Sequence, residues 1–522
     1  YRKYSAVFIS SCSGIDINII FDLGWDTMSF DSMILSLILF TPIIGGVLIY
    51  IFGKQEKVKL LALLASVIPL CLSLLMLFNY KLGYSDLQFV INIPWITDLG
   101  ITYFLGVDGL SMPLVLLTTL LSFLTILFSW DVKHKLREYF TLLLFLETGL
   151  IGVFVSLDFF LFYLFWELVL VPMYFLIIEW GGPRRRYAGL KFFIYTHIAS
   201  LIMLIGIIAI YLNAAQQLGY YTFNIIEITQ QVTFAEDFQL LIFLALFIGF
   251  AVKLPIFPFH TWLPDAHVEA PTGGSVMLAG ILLKMGGYGL IRIAFALMPE
   301  AVQHYAWYLA VLGVINIVYG ALLALAQDDL KKMIAYSSIS HMGYVVFGLA
   351  ALNINGFNGA VFQMFAHGLI SAMLFMLCGI VQHSVHTRLI SQLGGLATRI
   401  PKLSVFFIYA CFASLGLPGL AGFIAEFKVF IGAFASFRTL TLISLSAVVI
   451  TASYYLWAID RAFFGEYNEN LISNPHDLSW FQSVPLVVLT VSILFFGLYP
   501  GPIMEMFNAS TQVILEIVEG GL

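Results

Sequence analysis

The chain has 522 residues, of which 61% are hydrophobic and 10% charged, with a mean hydropathy of +0.97 and a formal net charge of −6. Soluble domains carry about 25% charged residues, so this composition excludes a soluble globular protein and predicts a polytopic membrane protein. Cys12, Cys71, Cys378 and Cys411 are scattered without a CxxC pair, and the chain has no dinucleotide-binding glycine fingerprint, P-loop or haem attachment motif, so any redox or nucleotide chemistry is expected in other chains.

In chain order, residues 1–32 read as an N-terminal lead. It opens on Tyr1, its first methionine is Met28, and its apolar run Ala6–Ile9 is too short for the h-region of a signal peptide. Apolar runs of about 20 residues, the length that crosses the hydrocarbon, then follow. They lie at about 33–52, 60–79, 109–130, 139–156, 159–178, 190–211, 239–257, 274–297, 305–326, 331–352, 357–382, 404–434, 440–462 and 483–500, which makes about 14 transmembrane helices. Alternate loops check the count. One set, from Lys54 through Lys135, Arg184–Arg186, Lys331–Lys332 and Arg388 to Arg461, holds 16 of the 24 basic residues. The opposite set holds Arg2, Lys3, Lys81, Arg292 and Arg438, which places both termini outside. Most loops are short; of the longer ones, only 222–231 reads as an amphipathic turn or two.

Two spans are interrupted by proline: the seventh at AVKLPIFP (Lys253, Pro255) and the twelfth at ASLGLPGLAGFIAEF (Pro418, Glu426). Each is fourth in a group of five, and an odd number of spans makes the second group start from the opposite side. The expected fold is therefore all-α and polytopic, with two inverted five-helix repeats. The divisions are 33–130 (helices 1–3), 139–297 (first repeat), 305–462 (second repeat) and 483–522 (last helix and C-terminal tail). Inverted repeats with breaks at matching places point to an ion site, and the freed carbonyls must face protein or water.

A charged group at mid-bilayer costs from about 2.5 kcal/mol upward. Glu167 stands alone in FLFYLFWELVLVPMYF; it is either a carboxyl kept neutral and hydrogen-bonded to backbone or, since a carboxylate so deep calls for a cation, a partner for Lys253 beside the break. Lys284, in LAGILLKMGGYGL, is a second carrier, and a lysine with a movable glutamate partner is a proton switch. His341 and His367 lie within spans 10 and 11 as a relay, since histidine titrates near neutral pH. Ser337, Ser338 and Ser340 could order water beside them. Glu426, past the Pro418 break, is an exit carboxylate; Lys428 points to another face. His260 joins the path at the break. With His267, Asp265 and Glu269 it could be drawn as a metal cluster, but the intervening prolines and the lack of HExxH spacing argue against a metal. Glu147 is a further buried carboxylate without an assigned role. Asp108, Asp158 and Glu179, near span ends, are expected at the interface.

Three stretches closely resemble the antiporter-like subunits of respiratory complex I: Leu164–Ile177, Ala251–Leu290 and DDLKKMIAYSSISHMGYV. The resemblance covers nearly everything from about Asp31 to Pro500. Glu426, where the L and N chain types carry lysine, and the short C-terminal tail are similar to the chain M (subunit 4) type. It implies that Glu167 and Lys253 form an ion pair in the entry half, that Lys284 is the central carrier, that His341 and His367 belong to the connecting path, and that Glu426 is the terminal group. It further implies a proton-translocating subunit without a cofactor or metal of its own, driven by electron transfer to quinone in other subunits of an NADH:quinone oxidoreductase-like translocase. The expected partners are L- and N-type chains and the lipid bilayer, with no nucleic acid; the expected place is a prokaryotic plasma membrane, or an organelle inner membrane or thylakoid. Rival readings are a subunit of a multisubunit Na⁺/H⁺ antiporter or membrane-bound hydrogenase, an inert scaffold, and an intramembrane enzyme such as a lipid transferase.

Overall fold

A computed structural model describes residues 30–470 and 475–520. Residues 1–29, most of the expected N-terminal lead, lie outside the described part. Among the described residues, twelve helices are long and apolar enough to cross a membrane. The two segments expected to be broken are broken. Glu236–Lys253 ends at the lysine and helix resumes only at Trp262–Glu269; Pro401–Ser414 stops and resumes at Ala421–Ser436.

The breaks follow from missing donors and from backbone conformation. Pro255 and Pro258 have no N–H to continue the helical ladder, and Gly416 (φ 83°) and Gly419 (φ 94°) take the left-handed region around Pro418. The freed groups find partners inside the protein: Trp262 donates its indole N–H to the Val252 carbonyl (2.9 Å), and Asn316 donates to the Pro255 carbonyl (3.0 Å) and accepts from Phe257 N–H (2.7 Å). The start of the first break, residues 254–256, is buried in protein, as irregular backbone at membrane depth must be, while Pro258 and Thr261 are exposed. We expect Asn316→Ala, which orphans a buried donor and a buried acceptor, to cost about 2–3 kcal/mol. A lower unfolding midpoint of the purified protein is the readout; an unchanged midpoint would mean the break holds itself.

Burial sorts the helices. Thr272–Phe295, Leu330–Ala350 and Ile354–Val385 are each 94% buried and form the axis, whereas Val58–Asn79 and Trp480–Leu498 are only 33% and 28% buried and face outward. The axial helices carry Lys284, His341 and His367. The helix of Lys284 is not regular: π-helical turns at Leu278–Leu282 and Leu290–Phe295 flank its central α-helical turns. Gly286 lets it approach the first break, because a Cβ there would stand 2.6 Å from the Phe250 carbonyl oxygen and 2.7 Å from the Leu254 nitrogen.

Several of the basic loops make local polar contacts. At the basic end, Lys59 reaches the Trp130 carbonyl, Lys135 pairs with Glu179 (2.5 Å), Arg184 N–H donates to Glu269 (2.9 Å) and Arg388 pairs with Asp329 (2.5 Å). The far end holds 219–235, Ala351–Asn353 and the C-terminal helix.

Three features depart from expectation. The 80–108 loop contains an antiparallel hairpin, β1 (Gln88–Ile96) and β2 (Ile101–Val107), with Ile91 opposite Leu105 and Ile93 opposite Tyr103, so the fold is not purely α. Its β-branched and aromatic residues favour extended chain, and Gly100 (φ 66°) closes the turn. The C-terminal tail is a helix, Gly501–Val518, that buries Ile503, Met506, Phe507, Ser510, Ile514 and Val518 along one face. Asp108 and Asp158 are buried rather than interfacial: Asp158 caps the Phe159 helix by accepting from Phe160 N–H (2.8 Å) and also accepts from Thr102 N–H (2.9 Å). Glu179 alone of the three is at the surface. The short helix Ile225–Gln231, capped by Asn224, falls where an amphipathic turn was expected.

Candidate functional site

The central line starts at Lys284, fully buried, whose ammonium nitrogen bonds the Ala279 carbonyl and lies 2.8 Å from His367 Nδ1. The rings of His367 and His341 follow at 5.6 Å between centroids. His341 Nδ1 stands 3.2 Å from Glu426 Oε1, and its Nε2 lies 3.1 Å from Ser414 Oγ. Ser414 continues to Tyr455 Oη and on to Ser337, each step 2.8 Å. A cavity of about 10 Å³ between His341, His367, Gln363 and Glu426 has room for about one water molecule. Four residues separated by up to 142 positions in sequence thus form one buried polar line across the axial helices and the second break.

His341 Nδ1 also receives Gln363 Nε2 at 3.4 Å. One nitrogen cannot accept from the amide and donate to the carboxylate together. With the proton assigned to Nδ1 for the shorter contact, to the carboxylate, Nε2 is left to accept from Ser414. Of the serines expected to order water, only Ser337 enters this network; Ser338 and Ser340 bond the carbonyls of Ile334 and Ile317.

The other half is arranged differently. Lys253 is buried and its nitrogen has no hydrogen-bond partner; it lies over the Trp166 ring (5.4 Å to the centroid) and near that of Phe192 (6.0 Å). Glu167 sits where the helices Phe159–Leu168 and Leu170–Trp180 meet, five residues before Pro172. Its carboxylate binds His197 Nδ1 at 3.0 Å rather than Lys253. Lys253 and Glu167 are not in direct contact; the Lys253 amine lies over the ring of Trp166, the residue before Glu167. His260 is buried with an unpartnered Nδ1, packed against Phe257 and Tyr319, and bonds neither lysine.

Several groups were not singled out as members of the path. His197 is an isolated histidine in an apolar span, the criterion that selected His341 and His367. Lys331, counted as a loop lysine, is buried and donates to the Ala270 carbonyl (2.5 Å). His267 is fully buried, stacks on Phe375 at 4.5 Å, and neither ring nitrogen has a partner. Asp108 and Arg292 form a buried ion pair, and Arg292 also donates to Tyr288 Oη (3.3 Å). Glu147 is fully buried with both oxygens unpartnered. Lys428 is half-buried. Asp265 pairs with Lys191 (2.7 Å), and no group of three or more His, Cys, Asp or Glu able to hold a metal occurs among the described residues.

A family model described as NADH:quinone oxidoreductase/Mrp antiporter, TM, matches residues 156–451, which contain every member of this arrangement from Glu167 to Glu426. The F(420)H(2) dehydrogenase subunit M of Methanosarcina mazei is 44% identical over 490 residues, covering 93% of this chain and 98% of that protein. The NADH-quinone oxidoreductase subunit M of Rhodobacter capsulatus is 39% identical over 495 residues, covering 92% and 96%. A chain of respiratory complex I from Thermus thermophilus superposes with a TM-score of 0.85 at 28% identity, over 93% of this chain and 99% of that one. The chain, an integral membrane protein with its buried Lys–His–His–Glu line inside the matched region, belongs to the NADH:quinone oxidoreductase/Mrp antiporter transmembrane family.

Proposed function

We propose that this chain is a proton-translocating membrane-arm subunit of a complex I-like oxidoreductase, with electron transfer to a quinone-like acceptor taking place in other subunits. One observation carries the reading: Lys284, His367, His341 and Glu426 form a continuous line of groups that can exchange protons, sealed inside the bundle and ending at a helix break. Buried ionisable residues in a membrane are costly and mark ion or proton pathways. The roles follow the line. Lys253 is the switch next to the first break, Lys284 the central carrier, His367 and His341 the relay, and Glu426 the terminal group. His260 stands by at the break.

Glu167 and His197 extend the reading to partners. Their side chains are 25% and 40% exposed at mid-span on the lateral face of the chain. A carboxylate–histidine pair facing lipid is unfavourable, so a neighbouring subunit of the L or N type covers it. A rearrangement in that neighbour would move Glu167 between His197 and Lys253, and a buried amine's proton affinity follows the distance of its acid partner. We further propose fourteen crossings, in which the two broken segments complete the count; 139–297 and 305–462 as inverted repeats; and the basic end facing the cytoplasm, in a plasma membrane.

The family also contains Mrp antiporters, which makes Na⁺ the alternative cargo. The test is donor-driven gradient formation by the assembled complex in sealed vesicles. A proton path predicts acidification that an uncoupler abolishes and that persists without Na⁺. Loss of the gradient on Na⁺ omission would favour the antiporter reading, and electron transfer with no gradient at all would reject translocation.

A further inference from the structure

At the far end of the bundle, the outer face in the proposed topology, a cavity of about 900 Å³ opens between the C-terminal helix, the short helix Ile225–Gln231 and the start of Pro299–Leu325. Its wall includes both members of the buried Asp108–Arg292 pair. Polar side chains interrupt a largely apolar wall: Asp86, Thr229, Gln239, Glu300 and Ser510 line it with the pair. Three carboxylates against one guanidinium make it a place where cations collect.

Arg292 lies on the helix of Lys284. Lys284 and Tyr288, four residues apart in the α-helical turns Leu283–Gly289, share a face, and Arg292 follows in the next turn. Tyr288 joins Arg292 physically: its hydroxyl accepts from Arg292 Nε (3.3 Å) and donates to the Phe154 carbonyl (3.0 Å), while the Lys284 nitrogen turns back to the Ala279 carbonyl. The segment Leu290–Phe295 that holds Arg292 is π-helical, a distortion often found at functional sites. Asp108 is fixed in turn, accepting from Leu110 and Ser111 N–H (3.1 Å each), while Gly109 N–H donates to Ser510 of the C-terminal helix (2.9 Å). The pair is thus anchored to three elements and stands between the cavity and the Tyr288 hydroxyl.

We propose that the cavity is an aqueous vestibule open to the outer face, and that Arg292, held by Asp108, is an electrostatic plug that separates it from the Lys284–Tyr288 column. This deepens the proton-translocation reading and rests on it, because a central carrier under a wide outer vestibule would otherwise short-circuit to the outside. A fixed guanidinium repels a hydronium ion and fills the space it would cross, the device by which pores exclude protons and cations. The outward course through His341 to Glu426 then remains the one that Lys284 can use.

Passive proton leak into sealed vesicles holding the complex, with no electron donor, tests the plug independently of turnover. Arg292→Ala is expected to raise the leak by about tenfold or more; Arg292→Lys, which keeps a cation in place, leaves it near the wild-type rate. Adding Tyr288→Phe to Arg292→Ala is expected to lower the leak again, because the column loses its hydroxyl. An assembled Arg292→Ala complex with wild-type leak would overturn the proposal. A second measurement needs no disturbance of the pair: Ala296→Cys, one turn beyond Arg292 on the cavity wall, is expected to react with a cationic, membrane-impermeant thiol reagent added from the outer face. Failure to label it above the native cysteines would overturn the vestibule. If donor-driven pumping failed while these results held, the plug would stand and the coupling reading would fall.

Discussion

Replacing Lys253 by alanine is expected to lower proton flux through this chain by about a hundredfold, the lower end of what a positioned proton-transfer group contributes, while the complex still assembles. The ammonium group makes no hydrogen bond and lies over the Trp166 and Phe192 rings, so truncation orphans no hydrogen-bond partner and the fold has little to lose. The informative companion is Lys253→Arg. Arginine preserves the positive charge and the contact with Trp166, but it does not release its proton under working conditions. A switch that works by protonation fails with arginine as it fails with alanine. A lysine that merely balances Glu167 by its charge is replaced by arginine without loss. The measurement is the ratio of protons moved to electrons transferred in sealed vesicles, with assembly read on a native gel. Wild-type ratios in Lys253→Arg would remove Lys253 from the path.

What could be read from the chain beforehand was the set of isolated charges. A lysine or glutamate inside twenty apolar residues stands out without any structure, because no surface explanation is available to it. Lys284, His341, His367 and Glu426 were found in this way, and the structure brings them within hydrogen-bond or ring contact of one another. The breaks were legible for an equally local reason, since Pro255 and Pro418 remove donors wherever they stand.

Partner choice was not local. Glu167 could face Lys253 or His197, and which one it meets depends on the rotation of its helix about the Leu168–Leu170 junction. Asp108 and Arg292 are 184 residues apart, and each alone reads as a residue at a span end. Lys331 lies at the head of its helix and counted as a loop charge, yet it is buried and bonded to the Ala270 carbonyl of a distant segment. The β-hairpin and the C-terminal helix were missed for another reason. Their signals are alternation of β-branched and aromatic residues and a one-sided apolar stripe, both shorter than the twenty-residue run that a search for spans rewards.

Glu426→Gln carries the second large effect. The carboxylate is 7% exposed, sits 3.2 Å from His341 Nδ1 and borders the one-water cavity. Glutamine has nearly the same volume and can still accept from the histidine, so packing against Gly416 is preserved. It can neither take up a proton nor balance a charged imidazole. If Glu426 is the terminal group, flux through this chain falls by about a hundredfold, and electron transfer slows with it when the two are tightly coupled. Glu426→Asp, a shorter acid reaching across the same water, is expected to retain part of the flux. His341→Gln is the complementary change, because it keeps hydrogen-bonding capacity toward Ser414 and Glu426 but removes the titrating ring. If both glutamine variants lose flux and the aspartate variant does not lose it all, a proton must pass between residues 341 and 426. Wild-type flux in Glu426→Gln would instead mean that the proton leaves the line before the second break. Ser414 and Tyr455, hydrogen-bonded to His341 and to each other, would then mark the alternative branch.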